Sequence, residues 1–429
     1  MLPRAATDSR GTRHGPRAAG QRDIGSDLTR PVSASADAVA SGRTIVSIFG
    51  LEPVRIGGVE AFAREFSAQL AECGWRSVLC FLGEPAPLVR EYLELPNVIV
   101  EVLPADLKAA TAIPAVSRLL ATYRPEVLQL QFTPFLSPIP WIAKLRGVDR
   151  VFFVDQGSHP AGWTDRGTPS WKRWAARMLT LPLSAVVSIS DYNLRVLRSR
   201  GFLPVRKTLR LYNAAQVSRP HDRALGNAFR KRHGVPLDRT VVAQVSWMIP
   251  EKGIPDLLEA ARLALASDAS LHFLFGGEGP CRAEYEALAS SMGLADRVTF
   301  TGLVRDPYGE GLFDAADIVC QMSRWEEAFG YVIAEAMAVN RPVIATRVGA
   351  IPELVIDGET GHLVDRGDYK AAARLIVGLA ADETLRRRLG LAGRKRAEQE
   401  FNVRTNAGEA LRLFGIDGRP SRPGGALTG

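Results

Sequence analysis

The sequence predicts an α/β protein built from two doubly wound parallel sheets that face each other across a cleft. Short apolar strands alternate with amphipathic helices along almost the whole chain, the pattern of a parallel sheet covered on both faces. The series begins at TIVSIFG (44–50) and starts again at TVVAQVSW (240–247). At 429 residues the chain is also too long for one ordinary core.

Residues 1–42 are rich in Arg, Ala, Ser and Gly and have no apolar period, so a disordered tail is expected. TIVSIFG reads as a buried strand. In the following GGVEAFAREFSAQLAECGW, Phe62, Phe66, Leu70 and Cys73 share one helical face. SVLCFL, VIVEVL, EVLQLQF, RVFFV and AVVSIS continue the strands of a first Rossmann-like domain, 43–213. Residues 214–239 are polar and read as a linker. The second Rossmann-like domain, 240–415, carries TVVAQVSW, LHFLFGG, RVTFTG, DIVCQM and RPVIAT. Its last helical stretch, 370–413, is long enough to return to the first domain. Residues 416–429 read as a second disordered tail.

Composition is that of a globular protein, 46% hydrophobic and 23% charged. The net charge is +8; residues 1–43 hold seven Arg and four Asp, +3, which leaves +5 for the rest. That mild excess suits phosphate-bearing ligands or an anionic membrane surface. No zinc-finger or RNP-type signature supports nucleic acid as a partner. No apolar run approaches the roughly 20 residues of a membrane span, and the N-terminal residues lack a secretion segment. A cytoplasmic protein is expected, with peripheral membrane association as an option. Cys73, Cys80, Cys281 and Cys320 are scattered, without CxxC or a nearby His, and read as reduced and buried, not as metal ligands.

EEAFGYVIAE (326–335) follows the strand DIVCQM. Phe329-Gly330 would open a helix at the carboxyl edge of the second sheet. The free N–H groups of Phe329, Gly330, Tyr331 and Val332, with the helix dipole, would then form an anion site. Glu327 before the helix and Glu335 within it can accept hydrogen bonds from hydroxyls. Phosphate plus two sets of hydroxyls describes a nucleotide sugar. A capping acid followed by an exposed helix acid carries the same letters. Other loops at strand ends favour the ligand. Lys252 in EKG can reach a diphosphate as a point charge. GGEGP brings Gly277 and Glu278 to the same edge, GAIPELV follows RPVIAT, and the amides of Gly57 and Gly58 in GGVE could face the same phosphates.

In this order, EKG, GGEGP, FTG, EAFGYVIAE, EAMAVNRPVIAT, IPELV and DGETGHLV resemble the family 4 glycosyltransferases of the GT-B fold. GGVEAFAREFSAQL is similar to the family's first loop and helix, more loosely. The resemblance runs over about residues 44–410 and is most specific over 327–364. It implies sugar transfer from a nucleoside diphosphate donor with retention of configuration, to a glycan, lipid-linked or small-molecule acceptor. It implies no cofactor and no essential metal. By resemblance, Glu327 meets the donor sugar, Glu335 the ribose, Lys252 and the amides after Phe329 the diphosphate, and the backbone from Gly302 to Arg305 the base. Charge developing on the leaving diphosphate can be stabilised by Lys252 and the helix N-terminus. Front-face attack and a carboxylate nucleophile would each retain configuration. A non-catalytic nucleotide-sugar binder and a nucleotide-sugar epimerase are the alternatives. RIGGVEA lacks the GxGxxG of a dinucleotide oxidoreductase.

The chain departs from the family pattern in places. Trp247 stands where an Arg is usual, so one diphosphate contact is either missing or supplied elsewhere, by Arg282, Arg305 or Arg347. Where many members carry an acceptor-side His, the strand RVFFV runs into VDQGSHP. Asp155 could take the acceptor proton, Gln156 could only orient the hydroxyl, and His159 lies three residues on. Glu327, Asp155 and His159 are the candidate catalytic side chains. Ala350 replaces a second glycine. In WTDRGTPSWKRWAARM (163–178), Trp171, Trp174 and Met178 share a face beside Lys172, Arg173 and Arg177. That pattern fits either an interfacial helix or a helix packing its Trp residues on the sheet. RRRLGLAGRKR (386–396) reads as a solvated face.

Overall fold

The computed structural model describes residues 42–104, 109–160 and 169–416. The expected terminal tails lie essentially outside these residues, as do 161–168 of the tryptophan-rich segment.

The first unit runs β1 (Arg43–Phe49), α1 (Gly58–Glu72), β2 (Trp75–Phe81), α2 (Pro87–Leu93), β3 (Val98–Val102), α3 (Ala109–Tyr123), β4 (Val127–Gln131), α4 (Ile139–Leu145), β5 (Arg150–Asp155), α5 (Ser170–Thr180), β6 (Ala185–Ser188), α6 (Asp191–Ser199) and β7 (Thr208–Arg210). The second runs α7 (Arg223–Arg232), β8 (Thr240–Val245), α8 (Ile254–Ser267), β9 (Leu271–Gly276), α9 (Arg282–Ser291), β10 (Val298–Gly302), α10 (Leu312–Ala315), β11 (Ile318–Gln321), α11 (Tyr331–Ala338), β12 (Val343–Thr346), α12 (Ile351–Leu354), β13 (Gly361–Val364), α13 (Tyr369–Ala381), α14 (Glu383–Glu400) and α15 (Val403–Leu413).

The strands form two parallel sheets, in the orders β3-β2-β1-β4-β5-β6-β7 and β10-β9-β8-β11-β12-β13. β1 is buried from Thr44 to Phe49 and β8 from Val241 to Val245. Both are covered on both faces, which is why they read as nearly continuous apolar runs, interrupted by Thr44 and Ser47 in β1 and by Thr240 and Gln244 in β8. Each sheet reverses its strand order once, between β1 and β4 and between β8 and β11. The loops after these strands diverge and leave a crevice at the carboxyl edge.

The segment expected as a linker contains α7, whose N-terminus is capped by Asp222. Arg219 and Arg230 pair with Asp314 and Asp317, each at 2.8 Å, and fix it to the second unit. The chain then returns. The Ala215 N–H donates to Phe401 O at 2.8 Å, and Val403 N–H donates back to Ala215 O at 3.1 Å. α15 packs on α1, and the Phe414 ring stacks on Phe152 at 4.4 Å.

Three expectations need correcting. α5 buries Ala176 and Thr180, while Trp171 and Trp174 stay 68% and 64% exposed, so they do not pack on the sheet. Cys80 and Cys320 are buried, but Cys73 at the end of α1 is exposed and Cys281 is half-buried. The basic run 386–396 is not simply solvated. Arg386, Arg394 and Arg396 donate to carbonyls of neighbouring segments, because α14 lies across exposed helix and loop ends that need donors.

Candidate functional site

The two units enclose a cleft of about 490 Å³ between their sheets' carboxyl edges. That is within the range of ligand sites, ~300–1,000 Å³. α11 aims its N-terminus into it. Gly330 adopts φ 115°, a left-handed turn that a side chain would strain. From Ile333 to Ala338 the helix is buried, so its start is anchored from behind. The N–H groups of Phe329, Gly330, Tyr331 and Val332 meet no acceptor among the described residues, and all four residues line the cleft.

Lys252 arrives from the loop after β8. A side chain on Gly253 would begin 1.8 Å from Met322 O, so that turn requires glycine. Lys252 Nζ donates to Glu327 Oε1 at 2.6 Å. The Ser323 hydroxyl donates to the same oxygen, and the Gln321 amide approaches it at 3.4 Å. Glu327 Oε2 meets no donor among the described residues and is left for a ligand hydroxyl. The candidate sugar and diphosphate contacts are thus adjacent and pre-oriented.

Glu335, one turn beyond Tyr331, is buried and lies behind the cleft lining. Burial pushes its carboxyl up to about 7. Arg55 opposes that rise, and Asp306 and Glu60 add to it. Burial likewise raises Glu60. Glu60 accepts the Gly57 N–H at 3.0 Å, so this amide is already satisfied and does not await a phosphate. A side chain on Gly58 would begin 2.0 Å from the Tyr331 ring, which makes Gly58 a contact between the units.

The other glycine loops support the site more than they touch its contents. Gly277 N–H donates to Gly302 O at 2.9 Å, and the Glu278 carboxylate pairs with Arg282. Arg305 O accepts the Ile56 N–H at 2.7 Å, while Leu303 and Val304 line the cleft beside it. The loop after β12 holds the backbone of Glu327: Ala350 N–H donates to Glu327 O at 2.8 Å. Its Glu353 leaves the site altogether. The carboxylate accepts the N–H groups of Asp191 and Tyr192 at 2.8 and 2.6 Å, capping α6 of the other unit.

On the first-unit side, Gln156 and Ser158 line the cleft, whereas Asp155 and His159 do not. Successive strand side chains point to opposite faces. Asp155 accordingly turns away, accepts the Gly157 N–H at 3.2 Å and is raised by burial. Gln156 accepts from Asn213 Nδ2 at 2.8 Å. His159 pairs its backbone with Glu326, at 3.2 and 2.9 Å, and ties the units together. The cleft's remaining cation among the described residues, Arg55, stands two residues before Gly57-Gly58. Its only sequence signal was that proximity, and it was missed.

The family description "Glycosyl transferase 4-like domain" matches residues 57–213, and "Glycosyl transferases group 1" matches 227–396. The alpha-D-kanosaminyltransferase of Streptomyces kanamyceticus is 31% identical over 264 residues, 60% of this chain and 67% of that protein. The chain belongs to the family 4 glycosyltransferases. A phosphatidyl-myo-inositol mannosyltransferase of Mycobacterium leprae is also 31% identical, over 42% of this chain and 46% of its own. Anabaena HepE, solved with UDP and glucose, superposes with a TM-score of 0.70 at 19% identity, covering 86% of this chain and 99% of HepE. Sucrose-phosphate synthase from Thermosynechococcus elongatus gives 0.70 at 23% identity, covering 87% and 98%. These likenesses show the GT-B fold. In this glycosyltransferase, the substitutes considered for the family arginine at Trp247 are otherwise engaged. Arg282 pairs with Glu278 and Glu286, Arg347 pairs with Asp357, and the Arg305 side chain is not part of the lining.

Proposed function

We propose that this glycosyltransferase moves a sugar from a nucleoside diphosphate sugar to an acceptor hydroxyl, with retention of configuration and without an essential divalent metal. The observation that carries this reading is the row of unpartnered amides at α11 beside the Lys252–Glu327 pair. An anion fits the amides, and a hydroxyl fits Glu327 Oε2. The diphosphate leaves against the helix N-terminus and Lys252, which stabilise its growing charge. Glu335, expected at the ribose, lies behind the lining and shapes the site from there. Retention follows when the acceptor arrives on the face from which the diphosphate departs, with a phosphate oxygen taking its proton. In support, Gln156, which can orient a hydroxyl but not deprotonate it, lines the first-unit wall of the cleft.

A specific observation favours an acceptor at a membrane. The exposed Trp171 and Trp174 of α5 stand beside Lys172, Arg173 and Arg177. Trp141 of α4, half-exposed, donates from Nε1 to Met178 O at 2.8 Å and extends the patch. Aromatic rings next to cations suit the interface of an anionic bilayer and a lipid-linked acceptor.

A nucleotide-sugar panel screened by ligand-observed NMR, followed by glycan, lipid-linked and small-molecule acceptors, tests the reading. The expected result is selective binding of one donor and acceptor-dependent release of its nucleoside diphosphate. Binding without turnover by any acceptor would favour a non-catalytic binder, and free epimerised donor an epimerase.

A further inference from the structure

We propose that Arg55 reaches across the cleft to the donor's diphosphate and does the work of the arginine that Trp247 displaces. The inference rests on the donor reading above and adds a contact from the opposite unit.

The cleft is lined by two cations among the described residues, Arg55 and Lys252, and by the carboxylates of Glu52, Glu60, Glu278 and Glu327. Lys252 is in contact with Glu327, and Glu278 is held by Arg282. A diphosphate entering this site meets only one cation that is not already paired with a carboxylate. Arg55 forms no ion pair among the described residues, and it lines the same cleft as Lys252 and the α11 amides. One of its terminal nitrogens is 3.5 Å from the point where a side chain on Gly57 would begin. Its charge is felt both at Glu60 in the first turn of α1 and at Glu335 in α11.

The loop that carries Arg55 is held in place. Ile56 N–H donates to Arg305 O at 2.7 Å, and Gly58 abuts Tyr331 at the start of α11. Arg55 is therefore carried on a loop docked against the second unit, and its side chain shares the cleft with the amide row. A planar guanidinium can bond two phosphate oxygens through a parallel fork of N–H groups, a geometry that a lysine ammonium lacks. Donor recognition becomes a property of the closed pair of units: Lys252 and the amides bind from one wall, and Arg55 completes the clamp from the other. The competing role is that Arg55 only offsets the buried carboxylates of Glu60 and Glu335. That role predicts a stability change with no preference for the second phosphate.

Calorimetric titrations of UDP, GDP, ADP and dTDP and their monophosphates separate the two. They use the full chain, Arg55→Gln, Arg55→Lys and Lys252→Met, with melting curves to verify folding. Loss of a charged hydrogen bond corresponds to about a 10- to 100-fold change in affinity. Arg55→Gln is expected to lose about that much for the preferred diphosphate and only a few-fold for its monophosphate, and Arg55→Lys to recover part of the loss. An unchanged diphosphate-to-monophosphate ratio in Arg55→Gln, with that ratio collapsing in Lys252→Met, overturns the role of Arg55 and leaves the donor reading intact. If none of the four diphosphates binds the unaltered chain, the donor reading fails and this inference fails with it.

Discussion

Glu335 should make the empty protein less stable as the pH rises, and Glu335→Gln should remove that effect. The carboxyl is fully enclosed and pushed from an ordinary value near 4.5 up to about 7. The charged groups that act on it are Arg55 from the loop after β1, Glu60 from α1 and Asp306 from the loop after β10. A folded value above the unfolded one means that the folded state holds the proton more tightly. The associated stability is complete below about 4.5 and is lost as the pH rises through about 7. At ~1.4 kcal/mol per decade, the difference amounts to ~3 kcal/mol. Glutamine keeps the shape and never ionises. The variant should therefore match the parent near pH 4.5 and exceed it by up to ~3 kcal/mol above pH 8. In a chain of this length that corresponds to roughly 5 °C in the thermal midpoint. Melting curves of both proteins from pH 4.5 to 8.5, without nucleotide, provide the assay. A constant difference across that range, or a variant that is weaker at pH 8, would refute the reasoning.

Glu327→Ala removes the carboxylate proposed to meet the donor sugar, so kcat/KM should fall by the equivalent of ~1.5–3 kcal/mol, with a near-normal melting curve. Transfer should survive EDTA; complete loss that magnesium or manganese restores would contradict the charge-stabilising role of Lys252 and α11. On the acceptor side, Gln156→Leu should slow transfer at least tenfold and leave nucleotide affinity within a few-fold, because Gln156 lines the cleft. Asp155→Asn should leave turnover within a few-fold of the parent, and a 100-fold loss would restore it as the base. Glu353→Ala strips the acceptors from the Asp191 and Tyr192 amides, and unfolding experiments should show a loss of ~1–2 kcal/mol.

The central strands were legible because a parallel strand covered on both faces is an apolar run with few alternatives. TLR and GHLV, which form β7 and β13, are too short and too polar to stand out. α7 was read as linker because Leu225 and Phe229 are its only large apolar residues, too few to reveal a period. α11 could be read from Gly330 ahead of an apolar helix, since that combination leaves few other roles for a glycine. The first-unit side was harder. Whether Asp155 or Gln156 faces the ligand depends on which face of the sheet each residue occupies at the strand end. Three letters do not set that parity. Arg55 was hidden for a different reason: its interest lies in having no carboxylate partner, a property of space and not of spacing.

The return of the chain at Ala215 and Phe401–Val403 has a practical consequence. Two backbone segments cross between the units side by side, hydrogen-bonded to each other. The crossing is therefore double-leaved, and each leaf braces the other. It also determines where the protein can be divided. A cut between residues 216 and 222 would sever only one leaf, and α15 would still moor the halves to each other. A chimera that exchanges the second unit should keep residues 403–416 with the first unit. Otherwise the Phe66 and Phe152 rings lose Phe414, and the transplanted half brings a helix shaped for another protein's surface.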